Sequence, residues 1–220
     1  MDQSALTLDL DRESRQGFPE MVFGRGKTAA QIVEAMSVLH AQSGHAFATG
    51  IDPAKAEQLT AALPLIHWDE LSQTAAIGRL QPTVHRVAIV CAGTSDLPVA
   101  EEASRTCEFL GHAALRVTDV GVAGIHRLLE KLDFIRTASV VIAVAGMEGA
   151  LPSVLGGLIA APVIAVPTSI GYGTGLGGMA ALLSMLNTCA SGVTVMNIDN
   201  GFGAAVAAHR ILGLRQILGQ

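Results

Sequence analysis

Cys189, Glu148 and a set of hydroxyl, acidic and glycine clusters are the residues of this sequence best suited to chemistry. The clusters are Thr94-Ser95-Asp96, Thr118-Asp119, Gly146-Met147-Glu148, Thr168-Ser169-Ile170-Gly171-Tyr172-Gly173 and Asn197-Ile198-Asp199-Asn200-Gly201. Gly93-Thr94-Ser95-Asp96 has the make-up of an anion nest, with hydroxyls and helix-start N–H groups pointing at a phosphate. Helix capping by Thr94, Ser95 or Asp96 uses the same groups and is the alternative. Glu148 is the last charge before a long neutral run, and a carboxylate beside an apolar wall suits a general base. Its alternative is a helix-start carboxylate interacting with the dipole. Cys189 stands in Leu186-Asn187-Thr188-Cys189-Ala190-Ser191-Gly192. A thiolate there would be a nucleophile, whereas a small buried packing residue is the usual role of a free Cys. Following a helix rather than preceding one, it gains nothing from the dipole, so reactivity needs a cationic substrate or neighbouring loops. His126 reaches such a site only if its helix begins there. His209, His45, His67 and Trp68 read as packing or surface residues.

The elements that position these clusters follow from the hydrophobic period. From His85 onward, strands are predicted at Val87–Cys91, Ala113–Val117, Ser139–Ala145, Pro162–Val166 and Val193–Ile198. Helices are predicted from Asp96 to about Leu110, Ala123 to Leu132, Gly149 to Ile159, Leu176 to Leu186 and Gly203 to Leu218. The alternation implies an α/β fold: a doubly wound, parallel, five-stranded sheet of flavodoxin-like type. Such a sheet places ligands outside the carboxyl ends of its strands, where every cluster above falls. No Asp, Glu, Lys or Arg occurs between Glu148 and Asp199. A membrane span would need about 20 apolar residues without repeated breakers. Pro152, Pro162, Pro167 and many glycines interrupt this run, so it reads as buried strands and crossover helices.

Before this domain the sequence divides into an arm at residues 1–16 and a small α/β appendage at 17–84, leaving 85–220 for the main domain. Gly24-Arg25-Gly26-Lys27-Thr28 invites comparison with a phosphate-binding loop, but Met21 occupies the position where that motif needs its first Gly. Thr28 with Gln31 instead predicts a capping box. Asp52-Pro53 predicts a second helix start.

Composition excludes several function classes. The chain is 50% hydrophobic and only 15% charged, with a net charge of −5. So little charge predicts surface covered by other subunits. No basic block exists for nucleic acid, and one Trp, one Tyr and six Phe give no stacking platform. Three Cys without framework spacing, and no targeting signal at Met1-Asp2-Gln3, predict a cytoplasmic protein. The absence of Gly-x-Gly-x-x-Gly after the first strand disfavours a hydride-transfer dinucleotide domain.

The loops also carry a resemblance. Ala92-Gly93-Thr94-Ser95-Asp96-Leu97-Pro98-Val99 resembles the Gly-Ser-x-Ser-Asp loop of the aminoimidazole ribonucleotide carboxylase and mutase family, and Ala145-Gly146-Met147-Glu148-Gly149-Ala150-Leu151-Pro152 resembles its second glycine-rich loop. Gly17-Phe18-Pro19-Glu20, Gly26-Lys27-Thr28, Pro167–Gly173 and Asn197–Gly203 are similar to one branch, the pyridinium-3,5-biscarboxylic acid mononucleotide synthases of nickel-pincer nucleotide cofactor synthesis. Where the purine enzymes have Ser-Ala-His-Arg, this chain has Gly124-Ile125-His126-Arg127.

The branch resemblance implies carboxylation of nicotinic acid adenine dinucleotide by CO2 or bicarbonate, with phosphoanhydride cleavage to AMP. It implies Cys189 as nucleophile and Glu148 as the carboxylate beside the ring. Thr94, Ser95 and Arg127 would hold phosphate, with His126, Gly146, Met147, Asn197 and Asp199 nearby. Asp96 would position ribose or water, and the segment from Thr168 through Ser169 and Tyr172 to Gly173 would receive the nicotinate carboxylate. The resemblance further implies a homo-octamer. No tightly bound organic cofactor is expected, and Mg²⁺ would be a cation for the phosphoanhydride, although no ligand cluster stands out. Two rivals are a purine carboxylase or mutase, which has no obvious use for Cys189, and a non-catalytic nucleotide-binding regulator.

Overall fold

A computed structural model describes the backbone of residues 6–217 and the side chains of residues 6–214. The chain divides into two compact units, one of residues up to Gln81 with Phe109–Gly111, the other of Pro82–Glu108 and residues from His112 onward. In the first unit, α1 (Arg12–Gln16) leads to β1 (Val22–Phe23), α2 (Ala29–Ser43), β2 (Ala46–Thr49), α3 (Pro53–Ala62), β3 (His67–Asp69) and β4 (Thr74–Ile77). Residues 1–5 of the expected arm lie outside the described residues. The sheet order is β1-β2-β4-β3, with β1 and β2 parallel and the other pairs antiparallel.

Local chemistry sets these boundaries. Thr28 accepts from the Gln31 N–H while Gln31 accepts from the Thr28 N–H, and α2 stops where Gly44 turns to φ 79°. Lys27 donates to the Phe23 carbonyl at 3.0 Å, so the glycine-lysine segment is a tied turn. Asp52 caps α3 through the Lys55 N–H. Leu63–Ile66 stay outside the sheet, whose β3 begins at His67. Ile32, Met36, Leu39, Ala48, Ile51 and Leu59 form this unit's core.

The second unit runs β5 (Arg86–Cys91), α4 (Leu97–Phe109, whose last residue groups with the first unit), β6 (Ala113–Val117), α5 (Ile125–Ile135), β7 (Val140–Ala145), α6 (Leu151–Leu158), β8 (Val163–Pro167), α7 (Met179–Leu186), β9 (Val193–Val195) and α8 (Gly201–Ile217). The five strands are parallel in the order β6-β5-β7-β8-β9, the doubly wound flavodoxin-like topology. Side-chain alternation splits the core. Val87, Ile89, Val140, Ile142, Val144 and Ile164 face the small residues Ala100, Ala103, Ala204 and Ala208 of α4 and α8. Ala88, Val90, Val141, Ala143 and Ala165 face Leu128, Leu151, Leu155 and Met185 of α5, α6 and α7. The neutral run therefore holds α6, the buried strand β8, α7 and the edge strand β9. Among the described residues, no helix is long and apolar enough to cross a membrane.

Several boundaries differ from expectation; α5, for one, runs Ile125–Ile135 in place of Ala123 to Leu132. β9 ends at Val195 rather than Ile198, because the chain then bends so that the Asp199 N–H bonds Pro167 O. α7 begins at Met179 rather than Leu176; before it, residues 173–178 form a tight turn with Leu176 at φ 46° and Gly177 at φ 63°.

His112 adds a pH-sensitive contact in this unit. It is 5% exposed, with Nδ1 2.8 Å from Thr83 Oγ1 and Nε2 2.9 Å from His209 Nδ1. Desolvation, helped by His209 and His85, pushes it from 6.5 down to about 4. The folded protein thus holds His112 neutral while the unfolded chain takes up a proton, so stability is full above pH 6.5 and is lost as pH falls towards 4. The expected loss is on the order of 2 kcal/mol. Urea midpoints across that window, compared with His112→Asn, check it: the substitution should flatten the slope, and an unchanged slope would contradict the assignment.

Candidate active site

The carboxyl ends of β5, β7 and β8 are joined through one buried carboxylate. Asp96 is 4% exposed. Its Oδ1 accepts from Thr168 Oγ1 at 2.6 Å, its Oδ2 accepts from the Gly93 N–H at 3.0 Å, and the Gly146 N–H also bonds it. Three loops therefore share one acceptor. Burial raises the Asp96 pKa above the ordinary carboxylate value, and the Thr168 hydroxyl and the two amides oppose that rise. Gly146 is required by this packing: a Cβ there would lie 2.4 Å from Ile170 O and 2.6 Å from Thr168 Oγ1. The Met147 N–H bonds Ile170 O, and Asp199 Oδ1 accepts from the Ser169 N–H at 2.8 Å.

Thr168 is fully buried and spends its hydroxyl on Asp96. In this arrangement Asp96 and Thr168 spend these bonds on holding the loops together. Thr168→Val is expected to cost about 1–3 kcal/mol, because a buried carboxylate loses a donor without the shape changing. Chemical denaturation checks this; a wild-type midpoint would show that the bond contributes nothing net.

Around this anchor stand groups free to meet a ligand. Thr94 and Ser95 are exposed and open the turn leading into α4. N–H groups at a helix start have no intrahelical acceptor, which makes the turn suitable for an anion. His126 and Arg127 lie in the first turn of α5, so that helix does begin at the rim. His126 is exposed, and Arg127 Nη1 is 2.6 Å from Asp119 Oδ2. Met147, at φ 52°, and Glu148 are exposed after β7. Ser169, Tyr172 and Asn197 are also exposed, and Asp199 is half-buried.

Cys189 lies elsewhere in the sheet's geometry. It occupies the α7–β9 connection, at the amino end of β9, outside the hydrogen-bonded loop cluster. Its neighbour Thr188 accepts at 2.7 Å from Ser153, in the first turn of α6, the helix entered from the Glu148 loop. Ala190 packs at Gly156 further along α6. The thiol's loop is thus fastened to the helix that follows Glu148. Cys189 is exposed, whereas Cys91 and Cys107 are buried. Burial pushes Cys91 up to about 12 and Cys107 higher still, so neither offers a thiolate near neutrality.

Sequence reasoning gives no role to Ser153, Thr188 or Asp119 beyond their loops. Asp119 stands at φ 58°, a conformation that Asp tolerates better than most residues. Among the described residues, no group of three or more His, Cys, Asp or Glu could hold a metal ion.

Residues 86–218 match the AIR carboxylase family, and residues 1–79 match the LarB/PurE-like N-terminal domain. An uncharacterized protein of Methanocaldococcus jannaschii is 41% identical over 223 residues, covering 95% of this chain and 84% of that protein. The N5-carboxyaminoimidazole ribonucleotide mutase of the same organism is 35% identical over 133 residues, 59% of this chain and 80% of the mutase. That of Pyrococcus horikoshii is 34% identical over 137 residues, 59% of this chain and 73% of the mutase.

Proposed function

Because the chain belongs to the AIR carboxylase family and carries a LarB/PurE-like N-terminal domain, we propose that it carboxylates the pyridinium ring of nicotinic acid adenine dinucleotide and cleaves the phosphoanhydride. The coarser role is that of the carboxylase and mutase family. One observation carries the finer reading: the single exposed thiol, Cys189, is tied through Thr188 and Ser153 to the helix after the exposed Glu148. A mutase acting on an imidazole has no evident use for that thiol.

The chemistry explains the residue types. Carbon 5 of a cationic pyridinium is too electron-poor to attack CO2. The Cys189 thiolate adds its electron pair to carbon 4 or 2, and the ring becomes a neutral dihydropyridine with enamine character at carbon 5. That carbon forms the bond to CO2. Glu148 takes the proton from carbon 5, the electrons return to the ring, and the carbon–sulfur bond breaks to release thiolate. The pyridinium charge itself favours a thiolate nearby. Thr94, Ser95 and Arg127 hold phosphate, and Ser169 with Tyr172 meets the nicotinate carboxylate. Water cleaves the phosphoanhydride, giving AMP and pyridinium-3,5-biscarboxylic acid mononucleotide.

The discriminating experiment offers the protein either nicotinic acid adenine dinucleotide with bicarbonate or N5-carboxyaminoimidazole ribonucleotide. AMP should appear from the first, and the second should remain. Conversion of the second alone would favour the purine reaction, and tight binding without turnover of either would favour a regulator.

Self-association, with the octamer as its expected form, belongs to the same proposal. Met179, Leu183 and Leu186 leave an apolar stripe along α7, exposed by 40%, 52% and 61%, and Leu176 in the turn before it is 72% exposed. Light scattering should give several times 22.7 kDa, and a monomer of that mass would remove the claim.

A further inference from the structure

We infer that Asp119 is a positioning residue that sets the direction of the Arg127 guanidinium at the ligand rim. The inference rests on the reading of that rim as a phosphate subsite. Asp119 is held at φ 58°, in the left-handed region, between β6 and α5. Such backbone costs roughly 1 kcal/mol for a residue with a side chain, and glycine would relieve it. Its neighbours fix it in place. The N–H of the next residue, Val120, bonds Cys91 O, and the buried Cys91 thiol donates to Gly93 O at 2.9 Å. Asp119 is thereby fastened to the base of the Gly93-Thr94-Ser95 turn.

From that place its carboxylate meets Arg127 Nη1 at 2.6 Å. The guanidinium reaches it by folding back over Gly124. A Cβ at Gly124 would stand 2.8 Å from Arg127 Nε, 3.1 Å from Nη2 and 3.3 Å from Cζ. Gly124 has φ −120°, so its backbone does not demand glycine; the folded Arg127 does. A guanidinium has five donors, and one contact to Asp119 leaves the rest of the fork for an anion. An exposed ion pair of this kind adds little to stability, which leaves orientation as its consequence.

The test titrates inorganic phosphate into the full chain by calorimetry, comparing Asp119→Asn, Arg127→Ala, the double variant and Gly124→Ala. Arg127→Ala should weaken binding by roughly tenfold or more. Asp119→Asn should weaken it by roughly fivefold while Arg127 is present, and not at all once Arg127 is gone. Gly124→Ala should melt with wild type, because the clash falls on a flexible side-chain tip, yet lose phosphate affinity as Asp119→Asn does. Equal effects of Asp119→Asn with and without Arg127, wild-type affinity in Gly124→Ala, or no phosphate binding by the wild-type protein would each overturn the inference. Turnover of nicotinic acid adenine dinucleotide is scored separately. Its absence alongside intact coupling between Asp119 and Arg127 would sink the proposed reaction and leave the positioning role standing.

Discussion

Cys189→Ser is expected to bind nicotinic acid adenine dinucleotide and to carboxylate it at least about a thousandfold more slowly than wild type. Serine nearly preserves size, and the position is exposed, so the fold should be unaffected within about 0.5 kcal/mol. What changes is the nucleophile, since an alkoxide is scarce near neutrality where a thiolate is accessible. Wild-type enzyme should show a transient absorbance change as pyridinium becomes dihydropyridine, before product appears. The variant should show none, although calorimetry still detects ligand. Carboxylation at the wild-type rate would end the covalent mechanism. Continued AMP release without carboxylation would separate the two half-reactions, showing that phosphoanhydride cleavage does not use the thiol.

Glu148→Gln is expected to fold normally and lose about a hundredfold to ten-thousandfold in carboxylation, the usual range for a positioned acid or base. Glu148 is exposed at the end of β7, so the amide leaves no cavity. Single-turnover experiments should show the dihydropyridine transient persisting longer than in wild type, because thiolate addition precedes proton removal and only the later step is slowed. A wild-type rate would exclude Glu148 as base. Loss of the transient itself would instead give Glu148 the task of stabilising the cationic ring during addition.

Much of this architecture is legible in the sequence because it is local. The five short apolar runs, the Thr28–Gln31 capping box and the Asp52–Pro53 helix start are each decided by residues a few positions apart. The differences arise where a distant partner decides. The last strand stops early because Asp199 turns to the carbonyl of Pro167, and the helix expected from Leu176 waits until Met179 because glycines fold residues 173–178 into a turn.

The candidate site divides in the same way. The rim clusters can be read from their place after each strand, as can the position of His126 once α5 is seen to start there. The burial of Asp96 cannot, because its donor Thr168 lies 72 residues away. The same holds for the tie between Thr188 and Ser153, which places Cys189 beside α6 and not in the Asp96 cluster. Nor does any local pattern show that Arg127 folds over Gly124 towards Asp119.

The central claim is that one active site adds a carboxyl group to a pyridinium ring. Its most direct test is mass spectrometry of the mononucleotide formed from nicotinic acid adenine dinucleotide and carbon-labelled bicarbonate. The account predicts a dicarboxylated mononucleotide whose new carboxyl carries the label, formed by wild-type protein and absent with Cys189→Ser. Unlabelled nicotinic acid mononucleotide as the only product would contradict it, leaving a hydrolase in place of a carboxylase.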